Sequence, residues 1–145
     1  MSNYNIIMYK ALSLTSKISE AGNAFIISKL KEYNYGNLAP SHGDILVVLY
    51  KYKKITMKNI AEKIGRTKAT VTVLIDKLEK NGLVKREKAS DDNRITYISL
   101  SEKGLEFKPI FEIISNDLNT MLYKNFTEDE EKQLDYLLEK MLKNL

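Results

Sequence analysis

Ile60-Ala61-Glu62-Lys63-Ile64-Gly65, then Thr67-Lys68-Ala69-Thr70-Val71-Thr72-Val73-Leu74-Ile75-Asp76-Lys77-Leu78, then Asn81-Gly82, is the stretch on which the fold turns. Thr56 upstream is a candidate N-cap for a short helix that places Ile60, Ala61 and Ile64 on one face and stops at Gly65. Thr67 opens the next helix. Val71, Leu74, Ile75 and Leu78 follow one another at i, i+3, i+4 and i+7, which makes a single buried stripe, and Asn81-Gly82 closes it. Two short helices therefore flank one glycine turn. Immediately after, the period changes from helical to alternating: Leu83 to Lys88 reads as a strand, Ala89-Ser90-Asp91-Asp92-Asn93 as a turn, and Arg94 to Leu100 as a second strand.

Upstream, Ile7, Ala11, Leu14, Ile18, Ala21, Phe25 and Leu30 predict one long helix over residues 6 to 33, with Gly36 able to take the left-handed cap. After Pro40, Ser41 reads as an N-cap with Asp44 completing a capping-box-like start, and Ile45, Leu46, Val48 and Leu49 carry a second helix to about Lys53. Downstream, Ser101 caps a helix from about Glu102 to Tyr123, with Leu105, Ile110, Ile113, Ile114, Leu118 and Leu122 on its face and Pro109 expected to bend it. Thr127-Glu128-Asp129-Glu130 is a capping box, and Leu134, Leu137, Leu138, Met141, Leu142 and Leu145 form the apolar stripe of a last helix.

Helix, tight turn, helix and hairpin is the order of a winged helix-turn-helix, in which the first helix braces the second and the second offers its N-terminal side to a DNA major groove about 12 Å wide. The charge is placed to match. Residues 40 to 104 hold 14 Lys and Arg against 8 Asp and Glu, whereas the two flanks together hold 9 against 11, so the basic excess lies in the central module. Opposite the buried stripe lie Ala69, Val73, Asp76 and Lys77, beside Lys68, Thr70 and Thr72. Threonine hydroxyls suit base edges, and Ala and Val methyls suit the thymine methyl. Arg66, Lys85, Arg86 and Lys88 are placed to clamp phosphates on either side. Lys51, Lys53, Lys54 and Lys58 read as a solvated helix end.

Composition excludes other classes. The chain has no cysteine, which removes disulfides, thiolate nucleophiles, Cys-ligated zinc and thiol redox sensing together. Its one histidine, His42, has no second and third metal ligand at suitable spacing, so a structural or solvated role is expected, with no metal and no cofactor. No acid, base or nucleophile constellation and no phosphate loop is present, so the chain is not expected to be an enzyme. The longest apolar run, Ile45 to Tyr50, is far short of the roughly 20 residues that span a bilayer, and residues 1 to 5 lack a charged leader; a cytoplasmic protein without a membrane partner is expected.

Ile60-Ala61-Glu62-Lys63-Ile64-Gly65, Thr70-Val71-Thr72, Leu78-Glu79-Lys80-Asn81-Gly82-Leu83-Val84-Lys85-Arg86, Asp92-Asn93-Arg94 and Leu100-Ser101-Glu102-Lys103-Gly104 resemble the MarR family of bacterial transcription regulators. The resemblance is specific from about Ile55 to Gly104 and architectural outside. It implies a mainly α (α+β) fold of about six helices and one β-hairpin wing, forming a single domain over 1–145. The winged helix-turn-helix would occupy about 40–104 and the dimerisation helices about 4–34 and 105–145. It implies a homodimeric repressor that occludes a promoter at a pseudo-palindromic operator in double-stranded DNA and is released by a small-molecule effector. It implies that the recognition helix is Thr67 to Asn81; together with the residues read above, the expected DNA-binding set is Arg66, Thr67, Lys68, Ala69, Thr70, Thr72, Val73, Lys77, Arg86, Lys88 and Arg94. The last reaches a minor groove from the wing tip with Asp92 orienting it. Where many relatives carry a base-reading arginine this chain has Val73, which tilts readout toward thymine methyls and A·T-rich DNA. The alternative from another class is a winged-helix module that mediates protein assembly and never reads DNA.

Overall fold

A computed structural model describes residues 10–145 of the chain. In chain order the elements are α1 (Lys10–Glu32), α2 (Ser41–Lys51), β1 (Ile55–Thr56), α3 (Met57–Ile64), α4 (Lys68–Lys80), β2 (Val84–Lys88), β3 (Thr96–Leu100), α5 (Glu102–Leu122) and α6 (Glu128–Leu142). The architecture is mainly helical with one small antiparallel sheet, as expected. The expected position of Ile7 lies outside the described residues.

Local chemistry starts most of the helices as the sequence predicts. Thr56, Thr67, Ser101 and Thr127 each sit in extended backbone and accept a hydrogen bond from the N–H three residues on, that of Asn59, Thr70, Gly104 and Glu130 respectively. Thr127 and Glu130 complete a reciprocal capping box, which holds the Glu130 carboxyl below its ordinary pKa through the Thr127 N–H. Gly65 ends α3 in the left-handed conformation at φ 65°.

Three expectations at the ends of α1 and α2 are corrected. Asn34, at φ 66°, takes the left-handed position after α1 instead of Gly36, and asparagine tolerates that region because its short amide bonds locally. Ser41 is the first residue of α2 rather than its cap: Pro40, in helical geometry, holds the N-cap place. The imidazole of His42 accepts the Ala39 N–H at 3.0 Å through Nδ1, doing for this turn what Glu does in a capping box. Helix α2 stops at Lys51, two residues short of the expected end. Pro109 lies inside the single span of α5.

The core gathers around α2. Ile45, Leu46, Val48 and Leu49 are buried against Ile60 and Ala61 of α3, Val71, Ile75 and Leu78 of α4, Val84 and Ile98 of the sheet, and Phe107 and Ile114 of α5. Burying such aliphatic and aromatic side chains is worth roughly 1.5 to 3 kcal/mol each. The hairpin pairs Val84 with Leu100, Arg86 with Ile98 and Lys88 with Thr96. Beyond the expected hairpin, β1 adds a third strand, Ile55 opposite Ile98 and Thr56 opposite Tyr97, in the order β1-β3-β2. This strand ties the loop before α3 to the base of the wing.

Phe107 replaces Leu105 on the buried side of α5: Phe107 is buried, packs 4.5 Å from the Tyr35 ring, and leaves Leu105 exposed. Leu14, Ile18, Leu137, Leu138, Met141 and Leu142 are exposed. The predicted α6 stripe and the N-terminal half of the α1 stripe are thus apolar faces left uncovered by the described residues, whereas Phe25 is half-buried and Leu30 joins the core.

Candidate nucleic-acid interface

Helix α4 meets the core through Val71, Ile75 and Leu78, so its opposite side is presented outward. Arg66, Thr67, Lys68, Ala69, Thr70, Val73 and Lys77 are all exposed, and Thr72 is half-buried. The capping hydroxyl of Thr67 accepts the Thr70 N–H at 3.2 Å and donates to the Thr70 hydroxyl at 3.0 Å. That leaves the Thr70 proton directed away from the cap, available to an acceptor on a base edge. Thr72 spends its proton on the Lys68 carbonyl at 2.9 Å and offers its methyl and oxygen lone pairs instead. Val73 is 67% exposed. Its methyls suit a thymine C5-methyl better than they suit water.

At the other end of the module, the turn between β2 and β3 is closed by Ala89 N–H to the Ile95 carbonyl at 3.0 Å and Ile95 N–H to the Asp92 carbonyl at 3.1 Å. Arg94 projects from it with 90% of its side chain exposed. Asp92 grips it three times: the carboxylate accepts Nε at 3.0 Å, Nη2 at 3.1 Å and the Arg94 backbone N–H at 3.0 Å. These bonds hold the Asp92 carboxyl below its ordinary pKa, the side chain of Arg94 being the larger cause. Orientation of Arg94 by Asp92 is thus a feature of the free chain. Lys88, at the end of β2, is exposed on the same hairpin.

Arg86 requires a correction. Instead of standing free as a phosphate clamp, its guanidinium lies against α4, donating to Asp76 through Nη2 and lying 3.3 Å from Glu79 through Nε, with only 28% of the side chain exposed. The spacing of the two acids, three residues apart on one helix, explains why both reach a single guanidinium. Two of the exposed lysines before β1, Lys51 and Lys54, and Lys63 of α3 lie against aromatic rings. Lys51 and Lys63 flank the Tyr52 ring at 5.6 and 4.8 Å, and Lys54 sits 4.7 Å over Tyr97 and 3.1 Å from Glu87.

Several structural residues carry no local signal. Tyr50 donates its hydroxyl to the Gly104 carbonyl at 3.1 Å, and burial pushes its pKa up. Asn37 donates to Asn81 at 2.7 Å, and Lys103 reaches the Asn81 carbonyl at 3.1 Å, so the end of α4 is fastened to the loop before α2 and to α5.

The model of the MarR family matches residues 38–96, which is the helix-turn-helix together with most of the wing. Over these residues the chain is similar to the MarR family. The HTH-type transcriptional regulator SarZ of Staphylococcus haemolyticus is 27% identical over 128 residues, covering 83% of this chain and 84% of that protein. The HTH-type regulator YkoM of Bacillus subtilis is 26% identical over 131 residues, covering 90% and 85%. Among solved structures, that of S. aureus MepR in complex with DNA superposes with a TM-score of 0.82 at 27% identity, over 92% of this chain and 96% of that one. The chain is a DNA-binding transcription regulator and not an enzyme. No helix among the described residues is long and apolar enough to cross a membrane.

Proposed function

We propose that this regulator is a cytoplasmic repressor that binds a pseudo-palindromic operator as a homodimer. The whole chain acts as one unit: the module of about 40–104 reads DNA and the helices on either side of it join the protomers. The observation that carries the reading is the pairing of two exposed surfaces on one rigid module, the Thr67-capped start of α4 and the Asp92-braced Arg94. Helix α4 enters the major groove with Lys68, Ala69, Thr70, Thr72 and Val73 toward the bases. Arg66, Lys77 and Lys88 meet phosphates, and Arg94 enters the neighbouring minor groove. The apolar faces of α1 and α6 support the dimer, because exposed stripes of this length on a MarR-family chain fit a self-complementary interface. Occlusion of a promoter follows from occupying two successive major grooves.

A small-molecule effector has a place to act. A pocket of about 220 Å³ opens between α1, α2 and α5, lined by Ile26, Leu30, Leu46, Phe107, Phe111 and Leu118. A small, largely apolar molecule there would separate the helices that set the spacing of the two modules.

Selection of bound fragments from random duplex DNA tests the reading. It should return an inverted repeat with half-sites about 10 bp apart, or a multiple of that spacing, and A·T-rich at the wing positions. Light scattering should give twice the 16.7 kDa chain mass. No enriched sequence, or a folded monomer at micromolar concentration, would overturn it and favour a protein-assembly module.

A further inference from the structure

We infer that Arg86 is a positioning residue that sets the angle between the wing and the recognition helix, so that Arg94 and α4 arrive at DNA together. The inference rests on the DNA-reading geometry proposed above and adds a residue whose role there is indirect.

Three observations lead to it. First, Arg86 stands in the middle of β2, opposite Ile98, while both of its partners, Asp76 and Glu79, belong to α4. One guanidinium thus links the two elements that meet DNA. Second, the side chain is mostly covered and both acids are within reach, so a phosphate would have to displace two carboxylates to bind it. Planar guanidinium geometry suits such bridging, and an ammonium does not reproduce it. Third, Asp76 and Glu79 lie on the helix that approaches a polyanion. Left unpaired they would repel it; paired with Arg86 they act as anchor points for the hairpin. The other end of the hairpin is anchored by β1 and by the Ser101 hydroxyl on the Gly82 carbonyl. Arg86 links β2 to α4, whereas the Lys54–Glu87 pair ties β2 to the segment before β1.

The experiment compares Arg86→Lys, Arg86→Met, Arg94→Ala and the two double variants on operator and scrambled duplex at two salt concentrations, with circular dichroism to confirm folding. Because the chain has no cysteine, Lys80→Cys with Asn93→Cys gives a clean pair of spin labels on the end of α4 and the wing tip, read in protomers diluted with unlabelled chain. Arg86→Lys keeps the charge and loses the bridge, so the label-to-label distance distribution should broaden without DNA present, and operator affinity should fall about tenfold. Adding Arg94→Ala should then cost less than about threefold, because a wing no longer held in register has little groove contact left to lose. A phosphate clamp behaves oppositely. Arg86→Lys would bind like the parent chain, Arg86→Met would lower the salt slope by about one unit, and its loss would add to that of Arg94→Ala. An unchanged, narrow label distribution in Arg86→Lys overturns the inference even if the operator assignment fails, whereas absence of any operator preference in the parent chain counts only against the operator assignment.

Discussion

Replacing Gly104 by alanine should cost about 2 kcal/mol of stability, and the structure says where each part of that comes from. Gly104 is buried in the first turn of α5, its N–H given to the capping Ser101 hydroxyl at 3.0 Å and its carbonyl accepting the Tyr50 phenol. A Cβ placed there falls far inside the van der Waals envelope of the Leu83 carbonyl oxygen, and lies 3.0 Å from a Leu100 methyl and 3.1 Å from the Leu83 carbonyl carbon. Backbone has to move, and the oxygen in the way is the acceptor for the Ser101 N–H at 2.9 Å. Overpacking of this kind costs about 1 to 3 kcal/mol, and weakening one buried backbone hydrogen bond adds about 1 kcal/mol. Alanine's better helix propensity returns up to about 1 kcal/mol. For a chain of this size the net corresponds to a melting temperature lower by about 4 to 8 °C. Thermal unfolding followed by circular dichroism measures it, with Gly65→Ala as the contrast. A Cβ at Gly65 meets open space and suffers only the left-handed backbone, about 1 to 2 kcal/mol. If Gly104→Ala melts within about 1 °C of the parent chain, the close approach of α5 to Leu83 does not constrain the fold as argued.

Arg94→Ala should weaken operator binding by about 1 to 3 kcal/mol without moving the unfolding curve, since the side chain is 90% exposed and its ion pair with Asp92 lies at the surface; equal affinity in a fluorescence anisotropy titration would put the wing outside the groove. Lys88→Ala should weaken operator and scrambled duplex alike and lower the salt slope by about one unit, which a titration series at rising ionic strength reads directly. Stability should decline as the pH falls below about 6.5. Burial depresses the His42 pKa, Lys77 adding to it against the opposing Ala39 contact, so below the ordinary value of 6.5 the unfolded chain binds a proton that the folded chain resists. The slope cannot exceed about 1.4 kcal/mol per pH unit from this one group, and His42→Gln, which keeps an acceptor for the Ala39 N–H, should flatten it between pH 7 and 5 in denaturant titrations.

How much of this could be read from the sequence depended on how far each cause reaches along the chain. An N-cap threonine acts on an N–H three residues away, so Thr56, Thr67 and Thr127 announced their helices, as did Ser101. Ser41 failed as a cap because a neighbour outbid it: Pro40 takes helical backbone and the His42 ring supplies the acceptor for Ala39. Two residues are too few to show a period, so β1 was silent until Ile98 and Tyr97 were seen opposite it. The candidate site shows the same division. Asp92 and Arg94 are two residues apart and their pairing was legible. Arg86 and Asp76 are ten apart on different elements, and basic residues in a strand beside a reading helix look alike whether they face phosphate or carboxylate.

The apolar faces of α1 and α6 carry the argument one step further. Their periodicity was plain, yet Leu14 is 48% exposed, Ile18 53% and Leu142 69%. A helix sequence states which face must be covered and is silent about what covers it, since apolar area has no direction and no address. Helix α4 shows the opposite case. Its exposed side carries Lys68, Thr70, Asp76 and Lys77 with only Ala69 and Val73 apolar, and it forms no continuous apolar stripe. Within one chain, then, the terminal helices present surfaces whose free energy falls on losing water to another apolar face, and the central module presents one of exposed donors, cations and isolated methyls. Under the proposed function, that division of labour puts assembly at the ends of the chain and recognition in its middle, with Arg86 and Gly104 at the joints between the wing, the reading helix and α5.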